Sequence, residues 1–351
     1  MLVAVMLAAF TFNTAENLPI GLLELISDSL RVSVSAVGLL VTGYGVTVAV
    51  ASLPLAHVMR AVPRRHVLTG VLAVLAVGLF AAGVRGRVVG ALSVAGSLAL
   101  VLGVPVGTWL GRQNGWPVPV ALLAALGLVS LMTIAVLLPT TRPEEEPAAY
   151  GMSPDSRRFG IVLAAGALSA TGAFAGYTYV VKFLGDVSGL SPGAVSVLFV
   201  AFGVACLAGV SVTGALLDRF PQAALTTAVA TQAVGMLGLY AAGTCPVSAV
   251  VFLVLMGGAL GPVFMTTQNA MLHCAPGRTD IALAANSGSY NAGIAVGAAL
   301  GGLILPLADV RSTFLVGGLL TAAACAVSPS PPTRPSTTRT VSSTSTPAPT
   351  T

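Results

Sequence analysis

Glu16 is an acid inside an apolar run. The segment Phe10-Thr11-Phe12-Asn13-Thr14-Ala15-Glu16-Asn17 interrupts a stretch made otherwise of Leu, Val, Ala and Met. On a helix, Asn13 lies three and four residues from Glu16 and Asn17 and so shares a face with both. A charged side chain at the bilayer centre costs about 2.5 kcal/mol or more, and such residues face a cavity and carry ions or protons. The chemistry open to Glu16 is therefore proton uptake on one side and release on the other. The alternative is that Glu16 sits near the outer end of its helix and snorkels or pairs with Arg31.

Other polar side chains fall within apolar segments. Tyr44, Thr171, Tyr177, Gln268, Asn269, Asn286, Ser289 and Tyr290 carry amides and hydroxyls that need partners or a wet cavity. They are candidates for a substrate wall, and equally for glue between helices. Lys182 is the only lysine; it is expected to snorkel at the end of its span, near Asp186. His57, His66 and His273 read as interface residues at helix ends. Cys206, Cys245, Cys274 and Cys325 are widely spaced, with no CxxC or His-paired pattern, so neither a disulfide framework nor a metal site is indicated. No zinc-protease, nucleophile-elbow, phosphate-loop or paired-carboxylate motif occurs in a plausible context. An enzyme is not expected, nor any cofactor, and a driving force would be an ion gradient.

The elements that hold these residues must be membrane helices. The chain is 56% hydrophobic and 8% charged, with a mean hydropathy of +0.94, whereas soluble domains carry about a quarter charged residues. Its apolar segments are near 20 residues long, rich in Gly, Ala, Val and Leu, and do not alternate, which argues for helices over barrel strands. The net charge of +5 comes from Arg in short turns, with no basic run to track a phosphate backbone, so nucleic acid is not a partner. Hydropathy places spans near 2–25, 36–58, 67–84, 88–110, 118–139, 160–183, 193–217, 223–242, 247–271, 281–305 and 312–328. The N-terminal run lacks a basic region before it and reads as the first span, not a signal peptide.

The chain also repeats itself. Val41-Thr42-Gly43-Tyr44-Gly45-Val46 through Pro63 lies over Phe199-Val200-Ala201-Phe202-Gly203-Val204 through Pro221 at an offset of about 158 residues. Gly103, Gly107 and Gly111 match Gly293, Gly297 and Gly301 at an offset of about 190. The first copy is therefore short by about 32 residues between Pro63 and Arg87, roughly one span with its connection. Small residues every four positions let helices approach closely, and Pro105 adds a kink, so both glycine ladders read first as packing and second as a pliable gate. The expected layout is an N-terminal bundle over 1–139, shortened between 63 and 87, a cytoplasmic linker over 140–158, a six-helix bundle over 159–328 and a disordered Ser/Thr/Pro tail over 329–351.

Charge placement conflicts with eleven crossings. Arg60, Arg64 and Arg65, the pair Arg85 and Arg87, Arg157 and Arg158, Arg219 and Arg278 all read as cytoplasmic turns, yet a full crossing at 67–84 would invert every later loop. The favoured expectation is a twelve-span ancestor whose third segment is shortened and poorly accommodated.

Three stretches carry a family likeness. Phe10 to Asn17, Gly38-Leu39-Leu40-Val41-Thr42-Gly43-Tyr44 and Gly103-Val104-Pro105-Val106-Gly107-Thr108 resemble the major facilitator superfamily, and within it the drug-proton antiporter branch that includes sugar and arabinose efflux permeases. The likeness covers nearly all of residues 1–327. It implies an all-α two-bundle architecture, six plus six helices here reduced to about five plus six, with a central cavity opened alternately to each side. The superfamily's cytoplasmic turn, Gly-x-Leu-x-Asp-Arg, is matched by Gly214, Leu216, Asp218 and Arg219; its first-half counterpart, Ala56-His57-Val58-Met59-Arg60-Ala61, keeps Arg60 but lacks the acid. By comparison, the absent stretch is the end of the third helix and all of the fourth, which normally lines the cavity. The resemblance thus implies a monomeric, multi-pass secondary transporter of the bacterial plasma membrane. It would exchange protons at Glu16 for a small organic solute, drug-like or sugar-like, held by Asn13, Asn17, Tyr44, Tyr177, Gln268, Asn269, Asn286 and Tyr290. The other reading, resting on the missing helix, is a non-transporting remnant or a membrane interaction protein.

Overall fold

The computed structural model describes residues 2–61, 99–137, 155–217, 219–274 and 279–327. The segment 67–84, His66 and Asp218 lie outside the described residues, as do the expected linker, apart from Asp155 to Arg158, and the expected tail. All regular structure among the described residues is helical: α1 (Leu2–Gly21), α2 (Leu23–Leu30), α3 (Val34–Ala61), a π-helical turn (Ala99–Gly103) running into α4 (Val104–Asn114), α5 (Pro117–Leu137), α6 (Ser156–Tyr177), α7 (Val180–Asp186), α8 (Pro192–Leu217), α9 (Pro221–Ala242), α10 (Pro246–Cys274), α11 (Thr279–Ile304) and α12 (Arg311–Val327).

Helix starts follow local chemistry. Pro117, Pro192, Pro221 and Pro246 each open a helix, where a fixed φ suits the first turn and the missing N–H is no loss. α6 is capped instead by Asp155, whose carboxylate accepts from the Arg158 N–H at 2.9 Å. The π turn immediately precedes Pro105, whose ring has no N–H to donate to the ladder, so the extra residue per turn sits where the helix is already interrupted. Among the described residues, five helical stretches, Val34–Pro54, Ser156–Asp186, Pro192–Leu217, Pro221–Ala242 and Pro246–Cys274, are long and apolar enough to cross a bilayer.

Packing reveals the repeat in three dimensions. α1 lies along α4 with Gly103, Gly107 and Gly111 set against Thr14, Leu18 and Leu22, while α6 lies along α11 with Gly293, Gly297 and Gly301 set against Ala167, Thr171 and Ala175. The contacts keep the same four-residue step on both sides, so α6 repeats α1 at about 153 residues and α11 repeats the α4 region at about 190. Around these pairs α5 packs on α1, α12 on α6, and α9 and α10 on each other.

The α1–α5 and α6–α12 segments meet along two seams, α3 on α11 and the π turn with α4 on α8. On the first seam Gly45 approaches the Asn291 carbonyl oxygen and the Ala295 nitrogen, at 2.7 and 2.9 Å from the position a Cβ would take. The second seam carries a shallow groove of about 220 Å³ lined by Pro105, Val106, Trp109, Ser196, Val197 and Val200.

At the end of the bundle away from Ser156, α7 meets α1, α2 and α8, and Leu22, Leu23, Ile26, Val180 and Leu184 are buried, while Phe183 packs on Phe314 of α12 at 4.6 Å between ring centroids. Glu24 of α2 comes within electrostatic reach of Asp28 on the same helix, of Arg112 on α4 and of Lys182 and Asp186 on α7. Lys182 and Asp186 pair at 2.6 Å, one turn apart. Just inside this end the Tyr179 hydroxyl donates to the Ala298 carbonyl at 3.0 Å beneath Gly38. Because that bond is buried and joins α11 to the turn between α6 and α7, Tyr179→Phe should lower stability by about 1 kcal/mol, read as a lower unfolding midpoint of the detergent-purified protein; an unchanged midpoint would mean this contact holds by apolar packing alone.

Candidate substrate and proton site

α1 satisfies most of its own polar groups. The Thr11 and Thr14 hydroxyls donate to the Leu7 and Phe10 carbonyls, each at 2.7 Å, and the Asn17 side-chain amide donates to the Asn13 carbonyl at 2.9 Å. Glu16 is different. It is half-buried, and no ion pair with Arg31 or any other cation is found for it among the described residues. Arg31 stands exposed at the C-terminal cap of α2.

Three tyrosines on three other helices lie within electrostatic reach of this acid. The Glu16 charge reaches the phenols of Tyr44 on α3, Tyr177 on α6 and Tyr290 on α11, so both halves of the chain contribute. Tyr177 is fully buried, stacked on Phe202 at 5.1 Å between ring centroids and edge-on to Phe174 at 5.7 Å. Tyr290 meets Phe264 edge-on at 4.9 Å. The hydroxyls of Tyr44 and Tyr177 are buried without a hydrogen-bond partner. Two buried phenols without a partner, in electrostatic reach of a carboxyl that has no cation among the described residues, offer donors and an acceptor with aromatic rings around them, a combination suited to a proton and to a solute with an apolar body.

The remaining sequence candidates divide by position. Asn286 is buried on α11, while Gln268 and Asn269 are half-buried in the last part of α10, toward the Ser156 end. Ser289 donates to the Leu163 carbonyl at 3.0 Å and Thr171 to the Ala167 carbonyl at 2.8 Å, which makes the first glue between helices and the second an internal bond. In the last turn of α8, Gly214 has the Met265 methyl 3.4 Å from where a Cβ would sit, and in the turn that follows Arg219 is exposed with its guanidinium 5.6 Å from the Phe220 ring. The side chains of Arg60 and His57 lie outside the described residues. His273 is exposed at the end of α10.

Gln232 was missed by the sequence reading. It is fully buried on α9, donates to the Ser169 carbonyl and hydroxyl at 3.1 and 3.2 Å, and leaves its own carbonyl oxygen unpartnered. A lone amide in an apolar span was the available signal. Ser169 is the residue that stands, by the α1–α6 repeat, where Glu16 stands in the first copy. The copies thus hold an acid in one half and a neutral hydrogen-bonded pair in the other.

Two helical bundles of repeated register, meeting along two seams around a polar centre, define a membrane carrier rather than an enzyme. The family model of the Major Facilitator Superfamily matches residues 74–279 and, in a second overlapping match, 161–350, so the chain belongs to this superfamily and is a secondary transporter. Similar solved structures include the human organic anion transporter MFSD10 (TETRAN), with a TM-score of 0.63 at 14% identity over 93% of this chain and 97% of that one. A mutant of the nucleoside transporter NupG gives 0.64 at 11% identity over 92% and 97%. At these identities the likeness shows the fold alone.

Proposed function

We propose that the chain exports a small organic solute, drug-like or sugar-like, from a bacterial cell in exchange for protons, by alternating access, with Glu16 as the proton carrier. The observation that carries this reading is the acid itself: half-buried on α1, without a described cation, and in electrostatic reach of tyrosines from α3, α6 and α11. A carboxyl so placed is stable when a proton or a solute group offsets its charge, and competition between the two for one site couples their movements. Tyr44, Tyr177 and Tyr290 hold the solute body, with Asn13, Asn17, Asn286, Gln268 and Asn269 supplying polar contacts along the path.

Proteoliposomes loaded with a pH-sensitive dye test this directly. With an acidic lumen, addition of the right member of a panel of lipophilic dyes and fluorescent sugars should raise lumenal pH as the solute enters, and a protonophore should abolish solute accumulation. A panel member that accumulates identically with and without a pH gradient would instead make the chain a uniporter. The rival reading, a non-transporting membrane interaction protein, draws on the short first half; it predicts no solute-dependent proton movement with any panel member.

A further inference from the structure

Two short helices touch where the halves of the chain meet at the end away from Ser156. α2 belongs to the first half: the Ser27 hydroxyl closes the turn into α3 by donating to the Val32 carbonyl at 2.6 Å, and Leu22 and Leu25 lie against Gly111 of α4. α7 belongs to the second: the buried Ser188 hydroxyl just beyond it donates to the Gly243 carbonyl at 2.6 Å, and Phe183 packs on Phe314 of α12. Any motion of one half against the other at this end therefore parts α2 from α7.

The charges at this junction are unbalanced. Glu24 and Asp28, one turn apart on α2, share a face, and so do Lys182 and Asp186 on α7. Half-buried Glu24 feels Asp186 across the junction more strongly than it feels Lys182 or Arg112, and Asp28 adds to the repulsion from its own helix. Lys182 is committed to Asp186 at 2.6 Å, and Arg31 is exposed at the cap of α2. Apolar burial of Leu22, Leu23, Ile26, Val180 and Leu184 draws this end together, while a carboxylate from each half pushes it apart. A balance of that kind responds to a single proton.

We propose that Glu24 of α2 and Asp186 of α7 form a pH-sensitive latch between the halves: with both carboxylates ionised this end is pushed open, and one proton taken up by the pair lets it close as it is here. Lys182 offsets the charge of Asp186 and Arg112 that of Glu24, so both cations favour the closed form. The latch is separate from the Glu16 site. It gates access at this end and does not carry the exchanged proton.

Nitroxide labels on Ser29→Cys of α2 and Gly185→Cys of α7, both exposed positions, read the separation of the two helices by pulsed electron resonance in the full chain, with Cys245 and Cys325 replaced by Ser. A side chain at Gly185 meets open space. In detergent at about pH 8 a short and a long distance are expected, and at about pH 5 the short one should dominate. Glu24→Gln should cut the long-distance fraction at about pH 8 by about threefold and flatten its pH dependence, whereas Lys182→Gln, which uncovers Asp186, should raise it. Opposite shifts from neutralising an acid and a base are what a charge latch requires and what a loss of packing does not give. No change with Glu24→Gln would mean that charge plays no part, and a rise would mean that Glu24 clasps α7 through Lys182; either overturns the latch, as does a single short distance in every sample. Glu16→Gln should keep the shift with pH. If the shift is lost there and kept in Glu24→Gln, the switch is Glu16 and the latch falls; if Glu16→Gln abolishes proton exchange and keeps the shift, both readings stand apart.

Discussion

Glu16→Gln is expected to reduce proton-driven solute accumulation in proteoliposomes to background, a loss of about 50-fold or more, while solute-for-solute exchange across the same membrane continues. Glutamine keeps the size and hydrogen-bonding reach of glutamate but cannot bind and release a proton, so only the coupled step should fail. Helix α1 has no reason to unfold, since the surrounding hydroxyls and amide already bond within it. Glu16→Asp, with a titratable group withdrawn by one methylene, should retain measurable coupling. Were Glu16→Gln to accumulate solute normally under a pH gradient, the proton would travel elsewhere and the central acid would be structural.

The second large effect concerns the two glycine ladders, which look alike in sequence and differ in what stands against them. A Cβ at Gly297 would strike the Thr171 carbonyl oxygen and crowd the Ala175 nitrogen at 3.1 Å, both backbone atoms. A Cβ at Gly107 would strike only the Leu18 Cδ1, the tip of a side chain that can turn away. Alanine is otherwise favoured over glycine in a helix interior by about 1 kcal/mol. Gly107→Ala should therefore be close to neutral, whereas Gly297→Ala should destabilise by about 1–3 kcal/mol as α6 and α11 are pushed apart. Unfolding midpoints in detergent would separate the two, and equal shifts would show that both ladders press on rigid backbone. The seam between α11 and α3 lies on the same helix, so Gly297→Ala is also the change expected to disturb transport more than its counterpart does.

Composition and hydropathy were enough to place the chain in a bilayer as helices, because a charged fraction of 8% leaves no surface for water. The repeat was legible as well. A four-residue glycine step is imposed by helix geometry, so it survives where the surrounding side chains have drifted, and its change of offset between copies marked where the first one is short. Glu16 stood out for a physical reason: an acid in hydrocarbon is costly and needs a role.

What surrounds that acid was decided by the tertiary structure alone. Tyr44, Tyr177 and Tyr290 are far apart in sequence, and each was as good a candidate for glue as for a site until α3, α6 and α11 brought them within reach of Glu16. Gln232 escaped notice because its partner Ser169 lies 63 residues away and no local pattern links them. Sequence set the solvent, the element type, the repeat and the one expensive charge, all of which follow from local chemistry and periodicity. Which faces meet and which phenols lose their partners depend on contacts between distant helices, and only the packed chain fixes those.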